Sequence, residues 1–230
     1  MWPGMMTPDP ARKRVAVLIS GRGSNMMSLV EAAQRPGYPA EIVTVISNRP
    51  EAAGLAWAAA RGIPALAIDH KAYATRTAFE AKLHTALLDA RADLICCAGF
   101  MRMLTGGFID RWRDRQLNIH PSLLPAFPGL DTHARALEQG VRIVGCTVHL
   151  MRLEMDTGPI IAQAAVPVRA GDTPETLGSR VLAAEHRLYP HALALFASGR
   201  AKVSGDAIQY SQDVNQDSAL YSPSLGAADT

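Results

Sequence analysis

The 230-residue sequence predicts an α/β fold: a mostly parallel sheet flanked by helices, with an antiparallel C-terminal extension. Two observations predict it. Short, β-branched apolar runs alternate with stretches of helical period through the first half of the chain. Such β-α repetition gives right-handed crossovers and parallel strand pairing. Beyond residue 142, two apolar runs follow each other across a short turn, a spacing that suits an antiparallel pair.

Val15 to Ser20 is the first strand, and Gly21-Arg22-Gly23-Ser24-Asn25 breaks it before a helix over Met26 to Gln34. Glu41 to Ser47 is the second strand, followed by a helix across Glu51 to Arg61 with Gly62 as its stop. Ala65 to Ile68 is a short third strand, and Arg76 to Ala90 an amphipathic helix. Asp93 to Ala98 is the fourth strand, Thr105 to Arg113 a helical turn, and Gln116 to Ile119 the fifth strand. A helix near Thr132 to Gln139 precedes the C-terminal strands, Ile143 to Met151 and Pro159 to Val168. Pro174 to Ser198 is one long helix, capped by Thr173 and opened by its proline. Ala207 to Tyr210 is expected as a final edge strand. Residues 14–200 read as a single domain, and residues 1–13 and 211–230 as flexible termini. The architecture is Rossmann-like, and no internal repeat interrupts it.

With 48% hydrophobic residues the chain can bury one substantial core. The formal net charge is +2 and the basic residues are spread out, so neither a nucleic-acid nor an anionic-membrane surface is indicated. No apolar stretch approaches the roughly 20 residues needed to span a bilayer. Met1 to Pro10 lacks an apolar core of signal-peptide length. Cys96, Cys97 and Cys146 form no C-x-x-C pair, and the first two sit in the apolar run Leu94 to Ala98, where buried thiols act as filler. Reducing cytoplasm is the expected compartment. No metal is expected, because no cluster has ligand spacing.

Chemistry concentrates in Leu117-Asn118-Ile119-His120-Pro121, where period-two alternation puts an amide and an imidazole on one side of a strand. His120 lies at the carboxyl end of an expected parallel strand, where open α/β sheets place their ligands. A histidine alone is more often a satisfied structural group. Asp156, just before Gly158-Pro159, reads either as a turn residue or as a carboxylate that orients the imidazole. Together the three suit acyl-type transfer: an oxyanion donor, an acid/base and a tuner. Thr147 and His149 would share one strand face, in the same cleft or in structural hydrogen bonds. Gly21 to Asn25 opens a helix after a strand, which makes a phosphate site, best for a monophosphate ester, or a tight turn capped by Ser24 or Asn25. It lacks the third glycine of a dinucleotide fingerprint and the Lys-Ser/Thr of a nucleoside triphosphatase loop. Arg111, Arg113 and Arg115 read as a solvated helix end.

Several motifs occur in order: Leu18-Ile-Ser-Gly-x-Gly-Ser-Asn25, Ser47-Asn48, Ala98-Gly-Phe-Met-Arg102, Leu117-Asn-Ile-His-Pro-Ser-Leu-Leu-Pro125, Asp156-x-Gly-Pro-Ile160 and Glu185-His-x-x-Tyr-Pro190. The set resembles the phosphoribosylglycinamide formyltransferases of purine biosynthesis, which use 10-formyltetrahydrofolate as co-substrate. The likeness runs from about Val15 to Arg200. It implies that Gly23, Ser24 and Asn25 hold the substrate 5′-phosphate and Glu185 its ribose hydroxyls. It implies that Met101, Arg102, Met103 and Leu104 flank the pterin and that Arg76 lies near the folate tail. Asn118 would contact the transferred formyl group, His120 would be the acid/base, and Asp156 would raise the histidine pKa. The loop Arg152, Leu153, Glu154, Met155 and Asp156 would close over the pterin. Arg152-Leu153, Leu182 and Asp131 depart from the family pattern, Leu182 standing where a polar substrate contact is usual.

The implied partners are small molecules, with no nucleic acid or membrane, for a monomer or homodimer. Two rivals share the Asn-His-Asp set: a formyltetrahydrofolate deformylase and a formyltransferase acting on another amine. Both usually carry a further domain, for which no room is expected before residue 14 or after Ser198. A phosphate-binding regulator without catalysis would keep Gly21 to Asn25 and lose the triad, which is present.

Overall fold

A computed structural model describes residues 12–212, Val214 and Ser222. In chain order the elements are β1 (Lys13–Ile19), α1 (Ser24–Ala33), β2 (Ala40–Ser47), α2 (Ala53–Ala59), β3 (Ala65–Ala67), α3 (Arg76–Asp89), β4 (Leu94–Cys97) and α4 (Gly106–Arg111). They continue as β5 (Gln116–His120), α5 (Thr132–Glu138), β6 (Ile143–Leu150), β7 (Ile160–Pro167), α6 (Pro174–Ala197), β8 (Ala201–Ser204) and β9 (Ala207–Tyr210).

β1 shows why the sheet is central. Its Val15, Val17 and Ile19 enter one core while Ala16 and Leu18 enter another, so both faces are covered, as a parallel strand requires. The sheet order is β3-β2-β1-β4-β5-β6-β7. β1 to β5 pair in parallel, whereas β6 is antiparallel to both β5 and β7. The chain moves outward through β2 and β3, then returns to lay β4 on the other side of β1. At such a reversal the flanking loops diverge and leave a crevice beyond the carboxyl ends of the strands.

α3 and α4 cover one face of β1 and β4, with Phe79, Leu83, Leu87, Phe108 and Trp112 packed on Leu18, Ile95 and Cys97. α1 and α6 cover the other, on Val17, Cys96, Leu117 and Val148. Thr173 caps α6 as expected, accepting from Thr176 N at 3.3 Å in a capping box. Deep in α6, the Tyr189 hydroxyl donates to the carbonyls of Cys97 and Leu117 at 3.1 and 3.0 Å, tying β4 to β5.

Several expectations need correction. Ala207–Tyr210 is a strand, but it pairs with β8 in a separate hairpin and does not edge the main sheet. β8 escaped the sequence reading because four residues give too short an alternation; the turn signal is Gly205, at φ 63°. The second helix is shorter than Glu51 to Arg61, since residues 49–52 form a turn closed by Ala52 N–H to Arg49 O at 3.2 Å. α1 starts at Ser24, because Gly23 in the left-handed region lets the helix begin at once. Lys13, expected in the flexible N-terminus, opens β1 opposite Ala40, and Ser211 N–H reaches Arg200 O at 2.9 Å. Apart from Arg12, Gln212, Val214 and Ser222, the rest of the two expected flexible termini lies outside the described residues.

Tyr189→Phe tests the α6 tie. It leaves the packing and removes one buried hydroxyl shared by two carbonyls, so unfolding free energy should fall by about 1–3 kcal/mol in urea titration.

Candidate active site

β5 carries the first two groups. Leu117 and Ile119 point into the α1/α6 core, so Asn118 and His120 must point to the opposite face. There β6 sets His149 opposite Asn118 and Thr147 opposite His120, so the four side chains share a face. Loops, residues 121–131 and 151–158, lie on this face. Thr147 Oγ1 holds the first loop by donating to Ser122 O at 2.7 Å and accepting from Leu124 N at 3.0 Å.

The buried His120 has an oxygen at each ring nitrogen. Nδ1 lies 3.3 Å from Asp156 Oδ1, and Nε2 donates to Phe127 O at 3.0 Å. Asp156 is thus no mere turn residue: its other oxygen accepts Gly129 N–H at 2.7 Å, which ties the two loops together. Asn118 is oriented from behind. His149 Nδ1 donates to Thr157 O at 3.1 Å, so its Nε2 accepts from Asn118 Nδ2 at 3.2 Å. The second amide N–H of Asn118 remains for a substrate.

At β1 the Gly23 cap, φ 70°, opens α1 with no capping side chain, so the first-turn N–H groups face the crevice beyond the strand. Neither Ser24 nor Asn25 is the cap. Asn25 is buried and donates from Nδ2 to Glu185 Oε2 at 2.6 Å. Burial pushes the Glu185 carboxyl above the usual range, and the Asn25 bond opposes that shift. Asn25 Oδ1 is buried without a hydrogen-bond partner. The pair joins the phosphate-type loop to α6, where the half-exposed Leu182 also lies.

The expected donor residues fall into two groups. Met101, Met103, Leu153 and Met155 are large apolar side chains left exposed, whereas Leu104 is buried in the core under α3 and α4 and Arg102 is half-buried. Leu153 reaches over α4, its Cδ1 3.5 Å from where a Cβ on Gly106 would stand. The two segments therefore meet along one rim. Glu154 is exposed on the same loop, and Arg76 is exposed at the first position of α3. Arg152 is turned elsewhere: its guanidinium pairs with Asp114 at 2.7 Å and donates to its neighbour's carbonyl. Asp131 is exposed as the left-handed cap of α5.

The sequence reading missed Phe127 O and Gly129 N–H, since main-chain groups carry no residue signal. It also missed Ser20, Asn48 and Glu80, which underlie Met101–Thr105; Ser47-Asn48 was the available hint. All three cysteines are free and buried, and burial pushes the Cys97 thiol up to about 12. Among the described residues no His/Cys/Asp/Glu group could hold a metal ion, and no helix is long and apolar enough to cross a membrane.

An amide, an imidazole and a carboxylate stand together here beyond the carboxyl end of β5, and the chain belongs to the formyl transferase family, which matches residues 13–193. Within that family it belongs with the phosphoribosylglycinamide formyltransferases. The Escherichia coli phosphoribosylglycinamide formyltransferase is 40% identical over 193 residues, covering 84% of this chain and 91% of that protein. The crystal structure of phosphoribosylglycinamide formyltransferase from Brucella melitensis superposes with a TM-score of 0.78 at 57% identity, covering 82% of this chain and 97% of that one. The chain spans only about a fifth of the length of the trifunctional purine biosynthetic protein adenosine-3 of Bos taurus, 48% identical over 195 residues (85% of this chain, 19% of that protein).

Burial holds the His149 ring below its ordinary value of 6.5. The unfolded chain then binds the proton more readily than the folded one. Stability should be complete above about pH 6.5 and fall as the pH drops toward the folded value. His149→Gln keeps a donor and an acceptor without titrating. Its urea midpoint should fall less than the parent's between pH 7.5 and 5.5; equal slopes would refute the assignment.

Proposed function

We propose that the chain transfers the formyl group of 10-formyltetrahydrofolate directly to the amine of 5′-phosphoribosylglycinamide, a step of de novo purine (IMP) biosynthesis. The observation that supports this reading is the convergence of three loops on one edge of the sheet. The loops after β1, β4 and β5 leave the carboxyl ends of adjacent parallel strands. At about 4.8 Å per strand, the phosphate-type loop and His120 are separated by roughly 10 Å. A ribosylglycinamide covers a span of that order from phosphate to amine.

In this reading the N–H groups of Gly23, Ser24 and Asn25 take the phosphate, and Glu185 the ribose hydroxyls. Met101, Arg102, Met103 and Leu104 wall the donor ring, with Arg76 toward its tail. Leu153, Glu154 and Met155 cover it, while Arg152 serves the loop's root through Asp114. The neutral amine attacks the formyl carbon, and the carbonyl electrons move onto oxygen. The free N–H of Asn118 and the Nε2–H of His120 donate to that oxyanion, which replaces Phe127 O as the partner of His120. Asp156 keeps Nδ1 occupied. Collapse breaks the bond to the folate nitrogen, which takes a proton from His120 while His120 recovers the one that the attacking amine gives up, and tetrahydrofolate leaves. Positioning the two substrates contributes about 7–11 kcal/mol of the barrier. No step asks for a metal. Residues 14–200 form the unit that does this, in the cytoplasm, as a monomer or homodimer with small molecules as its partners.

The decisive assay follows the absorbance of a 10-formyl-folate analogue with glycinamide ribonucleotide, with its unphosphorylated riboside, and with no amine. Transfer should require the phosphate. Loss of the formyl group as formate without any amine would instead mark a deformylase.

His120→Ala and Asn118→Ala should each lower kcat by about 10²–10⁴-fold with little change in KM, because both act on charge that develops in the transition state. Asp156→Asn keeps the size and the bond to Gly129 but removes the carboxylate beside His120, so kcat should fall in enzyme that folds normally. Full kcat would leave Asp156 as scaffolding.

A further inference from the structure

The segment between β4 and α4 has no regular structure, yet it presents Met101 and Met103, 63% and 56% exposed, at the rim of the cleft. It is held from below at both ends. Met101 N–H donates to Ser20 Oγ at 2.7 Å, and Ser20 Oγ donates to Asn48 Oδ1 at 2.5 Å. Ser20 and Asn48 are 5% and 1% exposed at the ends of β1 and β2, and His70 Nδ1 donates to Asn48 O at 2.8 Å. At the other end Glu80 of α3, 4% exposed, accepts Thr105 N–H at 2.7 Å on one oxygen and the Thr105 hydroxyl on the other. A buried carboxylate is costly unless fully partnered. Both oxygens of this one are spent on a single loop residue.

We propose that Ser20 and Glu80 are positioning residues for the formyl donor: they pin Met101 and Thr105 so that the exposed methionines form a standing wall for its flat ring. The inference rests on the function proposed above. A segment free to rearrange must be ordered at the moment of binding, and that entropy weakens the donor's affinity. Losing a pin should therefore raise the donor KM, whereas the ribonucleotide is held elsewhere and the reacting groups sit on β5.

The test combines backbone hydrogen exchange of the ligand-free enzyme with steady-state kinetics for Ser20→Ala, Ser20→Thr and Glu80→Met, the last of similar size with no hydrogen-bonding oxygen. Ser20→Ala should speed exchange at Met101 and leave Thr105 protected; Glu80→Met should do the reverse. Each should raise the donor KM roughly tenfold, the usual scale for one buried hydrogen bond. kcat and the ribonucleotide KM should stay within about threefold, and Ser20→Thr, which keeps the hydroxyl, should recover the parent donor KM. An unchanged donor KM in an active enzyme overturns this proposal alone, as does a parallel loss in kcat and both KM values. Absence of formyl transfer in the parent enzyme overturns the function on which it rests.

Discussion

Alternation along β5 is the constraint on which the site depends. Leu117 and Ile119 are buried against α1 and α6, and across the antiparallel ladder Val148 and Leu150 are buried with them. Fully burying such side chains stabilises by about 1.5–3 kcal/mol each. A slip of one residue would drive Asn118 and His120 into that core and turn the aliphatic residues to water. The apolar face therefore fixes where the polar chemistry can stand. Its antiparallel partner adds what a parallel one in this register does not: His149 directly opposite Asn118, close enough to hold the amide.

Beyond the end of β5, order depends on polar groups. Thr147, wholly buried, ties Ser122 and Leu124, and Gln163 Nε2 donates to Leu124 O at 2.9 Å. Leu123 lies over Gly145, where a Cβ would stand 1.9 Å from Ala164 O, so only glycine lets the loop and β7 approach so closely. Within and beside these loops Phe127, Asp131 and Asp156 adopt φ of 53°, 55° and 55°. Each costs about 1–3 kcal/mol for a residue with a Cβ and persists only where its surroundings over-determine it. Two of the three supply His120 directly, Phe127 with a carbonyl and Asp156 with a carboxylate. Strain and chemistry coincide because both follow from aiming specific groups at one imidazole.

Legibility tracked locality. The strands of the main sheet, the long α6 and the pairing of Asn118 with His120 follow from periods of two and 3.6, which any stretch of sequence displays. The β8–β9 hairpin was half-read, since four-residue strands carry almost no periodic signal. Asp156 is legible as a candidate through its turn and through the family likeness, but its meeting with His120 depends on how β6 and β7 return the chain. The family likeness gives Asn25 to the substrate phosphate, but the bond from its side chain to Glu185, 160 residues away, is a separate matter. No local rule carries that distance. Glu80 was invisible for the same reason: within α3 it looks like any helical glutamate, and only the packing of α3 beside α4 buries it against Thr105.

Arg152 shows how a loop can be anchored at its root while its tip stays open. At Gly158, φ 111°, a Cβ would stand 2.9 Å from Arg152 Cγ and 2.2 Å from Leu150 O, so the arginine stem threads beneath the turn. Its head then meets Asp114, itself at φ 58°. That pair is part-exposed, and such ion pairs contribute about 0.2–1 kcal/mol, less in salt. It anchors the root of the loop without freezing it. The tip, Leu153 to Met155, stays exposed, while the next residue is fixed again through Gly129 and His120. An exposed apolar tip and a firmly held carboxylate thus share one turn, separated by where its few strong bonds fall.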